Sequence, residues 1–104
     1  MTAKHRAHSG ALSDLAEIIA YLGREAPDQA VRLKMLYRDA RLRLRRQPLV
    51  NAPLLEGYRR VVLVPFKYMI VYVTDGHNTD ILAVLDARRN LETIRATLRG
   101  RAFE

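Results

Sequence analysis

Apolar residues recur at helical spacing through the first half of the chain and in short dense runs through the second. From Ser9 to Gly23, the residues Ala11, Leu12, Leu15, Ile18, Ile19 and Leu22 fall on one stripe of a helix. Ser9 suits the cap at its start and Gly23 the close at its end. Asp14 and Glu17 stand in its front half, where the helix dipole favours anions. Pro27 suits the first turn of a second helix, predicted to run to Arg46. Its inner stripe is Ala30, Leu33, Leu36, Tyr37, Ala40 and Leu44. Its outer face carries Arg32, Arg38, Arg41, Arg43, Arg45 and Arg46. The short link between the two helices predicts an antiparallel hairpin.

Gln47 to Gly57 contains Pro48, Pro53 and Gly57 and reads as a connecting loop. Three β-rich runs follow: Tyr58 to Val64, stopped by Pro65; Lys67 to Val73; and Thr79 to Leu85. Asp75-Gly76-His77-Asn78 supplies turn residues, so the last two runs should pair as a hairpin. Both of these runs are apolar on both faces, whereas a sheet wetted on one side alternates. The helical hairpin can cover one face. A helix from about Leu91 to Arg99, or a partner chain, must cover part of the other. Lys4 to His8 reads as a short edge strand. The expected fold is α+β: an N-terminal helical hairpin packed on a small antiparallel β-sheet, with a short C-terminal helix, in a single domain over residues 1–104.

Composition narrows the setting. A chain of 104 residues that is 49% hydrophobic and 28% charged can bury one core. It lacks cysteine, which excludes disulfides and thiolate zinc sites. The polar N-terminus lacks the apolar middle of a signal peptide. The longest charge-free stretch, Gln47 to Leu55, is too short to span a membrane. The expectation is a soluble cytoplasmic protein that needs no membrane, no cofactor and no metal. Lysine and arginine number 18 against 11 acids, a net charge of +7, and only Lys4, Lys34 and Lys67 are lysines. Arginine's planar fork of donors suits phosphate and carboxylate, so the expected partner is anionic.

The sequence lacks the common catalytic signatures. His5 and His8 have no third metal ligand in view, and His77 sits in a turn. Asp75, Asp80 and Asp86 flank or end strands and read as turn and strand-end residues. The cations are more telling. In an antiparallel meander Lys67, Arg88 and Arg89 share one edge, while Arg59 and Arg60 lie nearer the other. One patch and two patches are both compatible with that layout.

The order of elements carries a family resemblance. Asp14-Leu15 to Tyr21, then Pro27 with Ala30, resembles the opening helices of the ParE/RelE toxin superfamily. Gly57-Tyr58-Arg59-Arg60 resembles its glycine–arginine lead into the sheet, and Lys67 to Tyr72 its "Y-R-I-x-Y" strand. Ile81 to Asn90 is similar to its last strand and the arginine-bearing turn beyond, so the resemblance spans about Lys4 to Asn90. It implies the toxin of a type II toxin–antitoxin system, neutralised by a cognate antitoxin. RelE-like members cleave messenger RNA in the ribosome with lysines and arginines plus a general acid or base. ParE-like members inhibit DNA gyrase and lack that set.

The residues favour the ParE-like branch, and with it a binding inhibitor over an enzyme. Attack by a 2′-hydroxyl needs one group to take its proton and another to protonate the leaving oxygen. Where many relatives carry His after the last strand this chain has Asp86, and no tyrosine follows Tyr72. Tyr68 and Tyr72 read as packing groups. On this reading Arg59, Arg60, Lys67, Arg88 and Arg89 engage the target, DNA gyrase. The alternative is a ribosome-dependent endoribonuclease using Arg60, Lys67 and Arg88 on mRNA. A third possibility is a relative that binds antitoxin without being toxic. An acidic, partly disordered antitoxin segment is expected along Leu12, Leu15, Ile19, Leu22, Leu33 and Tyr37, in a groove between the helices.

Overall fold

A computed structural model describes residues 2–101, so the ends of the expected 1–104 span lie outside the described residues. Eight elements follow in order: β1 His5–Ala7, α1 Ser9–Glu25, α2 Pro27–Arg46, β2 Pro53–Leu55, β3 Tyr58–Val62, β4 Tyr68–Thr74, β5 Thr79–Asp86 and α3 Leu91–Arg99. The five strands form one sheet in the order β1-β5-β4-β3-β2. β3, β4 and β5 are the expected antiparallel meander, and β1 joins β5 in parallel at the edge. Among the described residues no helix is long and apolar enough to cross a membrane.

Helix boundaries differ from expectation by one or two residues. The cap of α1 is His8, whose Nδ1 accepts the Gly10 N–H at 2.9 Å, and Ser9 is the first helical residue. The helix passes through Gly23 to Glu25. Its end is set by Pro27, because the residue before a proline is pushed out of the helical region. Ala26 accordingly has φ −156° and ψ 80°. α2 spans the predicted range, with proline in its first turn. Asn90 caps α3 by accepting the Thr93 N–H at 2.9 Å.

The segment Gln47 to Gly57 is not all loop. β2 pairs with β3 through Pro53↔Arg59 and Leu55↔Tyr58. Pro53 hid this strand from the sequence pattern. Proline is tolerated there because β2 is an edge strand, where an outward N–H has no ladder partner.

The sheet is covered on both faces. Against one lie α1 and α2, with Ala11, Leu33, Tyr37, Ala40 and Leu44 meeting Leu63, Ile70, Tyr72, Ile81 and Val84. On the other, Ile94 and Leu98 of α3 meet Met69, Val71, Leu82, Ala83 and Leu85. Burying a large side chain of this kind contributes about 1.5–3 kcal/mol, and this is the main force holding the layers together. Tyr72 is fully buried, and its hydroxyl donates to Pro48 O at 2.6 Å and accepts from Asn51 Nδ2 at 3.2 Å. It is therefore a packing group that also pins the loop before β2.

A bulge interrupts the alternation in β5. Val71 pairs with Ala83 and Tyr72 with Ile81, which leaves Leu82 without an opposite. Leu82 and Ala83 consequently both face α3, while Ile81 and Val84 face the hairpin. A bulge also turns the backbone groups at the strand edge. Beyond the short β1, β5 presents the Leu82 carbonyl and the Val84 N–H outward. The carbonyl accepts from Arg101 Nη1 at 3.1 Å and the N–H donates to Asp14 Oδ2 at 3.0 Å.

Candidate functional site

Strand register decides which cations meet. Tyr68 pairs with Asp86, and the Ala87 N–H donates to Lys67 O at 2.8 Å. These bonds bring Lys67, Arg88 and Arg89 to one end of the sheet, all three exposed. Arg60 pairs with Val71 and Arg59 with Tyr72, three and four residues along β4 from Tyr68. At roughly 3.3 Å per residue, the two arginines begin about 10 Å from that end. The expected target-binding residues therefore form two groups.

Arg59 and Arg60 also part from each other, because successive strand residues face opposite sides. Arg59 shares the hairpin face with Tyr72, and Arg60 shares the α3 face with Val71. The Arg59 guanidinium donates to Asn51 O at 2.7 Å and Leu49 O at 3.3 Å. It binds the loop before β2 to the sheet. Arg60 is half-buried, and its backbone N–H donates to Ala52 O at 3.3 Å.

At the Lys67 end the turn after β5 is organised by Asp86. Its carboxylate accepts from Arg88 Nε at 2.9 Å, Arg88 Nη2 at 2.6 Å and the Arg88 backbone N–H at 2.8 Å. These bonds, the side-chain one foremost, hold the Asp86 carboxyl down at about 2, from an ordinary 3.8. The same contact holds the Arg88 guanidinium above its ordinary value. Asp86 is therefore a fixed anion and Arg88 a fixed cation, and neither can exchange a proton near neutrality. Tyr68 is half-buried and stacked on Phe66 with ring centroids 6.4 Å apart. The three histidines lie away from this end: His5 pairs with Thr79, His8 bonds Ile81 O, and His77 stands in the β4–β5 turn. Among the described residues, no group of three or more His, Asp or Glu is placed to hold a metal ion.

Of the six residues expected to line an antitoxin groove, two are buried in the core and three are partly buried against it. Leu33 is 0% exposed and Tyr37 8%, while Leu15, Ile19 and Leu22 pack against the same core and only Leu12, at 49%, stands well out.

Two tertiary pairings had no signal in the sequence. Asp14 and Arg101, 87 residues apart, form a two-pronged ion pair at 2.5 and 3.0 Å, with side chains 16% and 18% exposed. Asp14 read only as a helix-dipole residue, and nothing near Arg101 marked a partner. Likewise His5 Nδ1 accepts from Arg41 Nη2 at 3.2 Å, which ties β1 to α2. Burial, then the charges of Arg41 and Arg45, push the His5 imidazole below its ordinary 6.5.

Comparison with known proteins gives three likenesses. The model of the family described as ParE toxin of type II toxin–antitoxin system, parDE, matches residues 6–91. Toxin ParE2 of Mycobacterium tuberculosis is 40% identical over 105 residues, covering 100% of both chains, in strain CDC 1551 / Oshkosh and in strain H37Rv. A chain of the solved chromosomal ParDE TA system from P. aeruginosa superposes with a TM-score of 0.68 at 16% identity, over 80% of this chain and 94% of that one. At that identity the last likeness speaks for the fold.

Proposed function

This chain belongs to the ParE toxin family of type II toxin–antitoxin systems, and from that premise we propose that it arrests growth by binding DNA gyrase and is neutralised by a cognate antitoxin. The cationic end formed by Lys67, Arg88 and Arg89 is the surface that engages the target. The observation that carries this reading is the geometry of that end, where the Asp86 carboxylate is bonded to the Arg88 guanidinium at 2.9 and 2.6 Å. Asp86 is held near 2 by Arg88, Tyr72 is buried with its hydroxyl bonded to Pro48 O, and all three histidines lie toward the Thr79 end of β5. General acid–base cleavage of RNA requires groups poised near the working pH, typically with ~100-fold or greater rate effects. Fixed charges lack that capacity and suit electrostatic docking.

Arg59 serves the fold as well as any target, since its Nη1 donates to Leu49 O and Asn51 O. Arg60 forms a separate contact at most, on the α3 face. The antitoxin supplies an acidic segment that matches the surplus of 18 cations over 11 acids.

The test is direct. Purified protein should block supercoiling by gyrase in vitro, and Arg88→Ala with Lys67→Ala should weaken the block. Absence of inhibition at micromolar excess would overturn the gyrase assignment. Cleavage of ribosome-bound mRNA by the unsubstituted chain, lost in the same double variant, would put an endoribonuclease in its place. Expression without growth arrest would leave only the antitoxin-binding role.

A further inference from the structure

The cationic end of the sheet also carries apolar side chains. The turn between β3 and β4 is held in the core on both sides: Leu63 is buried, and Phe66 packs against the same cluster. Their backbones are fixed as well, with the Leu63 N–H donating to Tyr68 O at 2.8 Å and the Phe66 N–H to Leu63 O at 2.9 Å. Val64 and Pro65 bridge these anchors and stand outward, with Val64 71% exposed. The turn after β5 is built the same way. Ala87 and Ile94 pack against the α3-side cluster, and the residues from Arg88 to Thr93 between them are exposed. Among these is Leu91, 49% exposed at the start of α3. The Ala87 N–H bond to Lys67 O ties the two turns together, so Val64 and Leu91 accompany Lys67, Arg88 and Arg89 at one end.

Single exposed apolar side chains are ordinary on a protein surface. Here the turns that carry them are fixed before any partner arrives. Asn90 caps α3, Asp86 holds Arg88, and Phe66 stacks on Tyr68. A surface fixed in this way loses little conformational freedom on binding. Its chemistry selects a protein over a nucleic acid. A phosphate is best held by an open arginine fork, and two donors of the Arg88 fork already serve Asp86. A hydrated phosphate backbone would also leave Val64 and Leu91 with nothing apolar to bury against. Protein interfaces combine an apolar centre with arginine and a polar rim. Among the described residues Lys67 and Arg89 form no ion pair, so both can meet carboxylates on a partner.

We propose that Val64 and Leu91 are the anchors by which this end docks. They enter a shallow apolar recess on the target protein, whose rim supplies carboxylates to Lys67 and Arg89. That the target is gyrase rests on the functional reading above. The addition is that the chain recognises a protein surface of its target and not DNA.

The test sets this end against Val50, which is also 71% exposed but lies in the loop before β2. Val64→Asp with Leu91→Asp should weaken binding of the full chain to DNA-free gyrase subunits about tenfold or more, as loss of central anchors does. Val50→Asp should leave binding unchanged. Because the rim is acidic, Val64→Asp should weaken binding more than Val64→Lys. Circular dichroism checks that the variants fold, and Val64→Ser with Leu91→Ser should change binding in the same direction if the aspartate pair does not. Undiminished binding in the double variant, an equal loss in Val50→Asp, or a greater loss with lysine than with aspartate would overturn the proposal. So would binding of a short DNA duplex that Lys67→Ala with Arg89→Ala removes. If the parent chain does not bind gyrase, only the gyrase reading fails. Growth arrest on induction then reads the same variants whatever the target, and it must be lost in the double variant and kept in Val50→Asp. A parent that does not arrest growth would overturn both, since it would have no target to dock on.

Discussion

Asp14–Arg101, beside β5, and Asp86–Arg88, at its end, are both two-pronged arginine–carboxylate pairs, and their surroundings give them different roles. The first has side chains 16% and 18% exposed, joins residues 87 apart and satisfies an open strand edge at Leu82 and Val84. The second has side chains 26% and 67% exposed, joins residues two apart and organises only its own turn. Coulomb attraction at close range is worth about 1 kcal/mol in water and several times more where water is excluded. A buried pair also leaves an uncompensated charge when one partner is removed. The lesson is that burial and reach, not the identity of the pair, decide whether an ion pair holds the fold or remains available to a ligand.

Removal of Arg101 tests the contrast most severely. Arg101→Ala leaves the part-buried Asp14 carboxylate with only the Val84 N–H and the Leu82 carbonyl without its side-chain donor, and should cost about 2 kcal/mol in urea unfolding. A loss under about 1 kcal/mol, the range of exposed pairs, would erase the difference between the two sites.

Gly10→Ala should act on the same pair at second hand. A Cβ at Gly10 would stand 2.5 Å from Arg101 Nε and 2.8 Å from its Cζ. The guanidinium must move, at an expected cost of about 1–2 kcal/mol. In an Arg101→Ala background the clash is absent, and alanine's better helix propensity should make the change neutral or stabilising. Equal destabilisation in both backgrounds would show that the cost lies elsewhere.

Arg88→Ala should do the reverse of Arg101→Ala. Its urea midpoint should stay close to the parent's, while inhibition of gyrase supercoiling weakens. A large fall in stability with inhibition intact would invert the roles assigned to the two pairs.

The smallest effect is on acid stability. Asp86 titrates at about 2 when folded and at an ordinary 3.8 otherwise. A depressed carboxyl stabilises the fold above its ordinary value, and that contribution fades as pH falls from 3.8 toward 2. Asp86→Asn should therefore flatten the loss of stability across that window by a small amount, since the pair is largely solvated. An unchanged acid limb would mean that Arg88 holds the carboxylate only loosely.

Legibility followed the range of each interaction. The extents of α2 and α3, and the meander, were readable because periodicity, Pro27 and the Asp75–Asn78 turn act locally. β2 was missed because Pro53 is a breaker everywhere but on an edge, and the edge exists only once the sheet is assembled. At the site, Lys67, Arg88 and Arg89 were placed together correctly from strand direction alone. That Arg59 Nη1 donates to Leu49 O and Asn51 O was invisible, since it depends on how the loop before β2 folds back.

The sequence by itself determined the layers, the ParE/RelE-like order of elements and the surplus of positive charge, all of which rest on residue type and short spacings. The tertiary structure alone decided which charges are free to act. It buried the expected groove residues Leu33 and Tyr37 in the core, and it joined Asp14 to Arg101 across the bulge at Leu82. The physical reason is that a charge's role depends on its distance from water and from its partner, and both are fixed only when segments far apart in the chain come together.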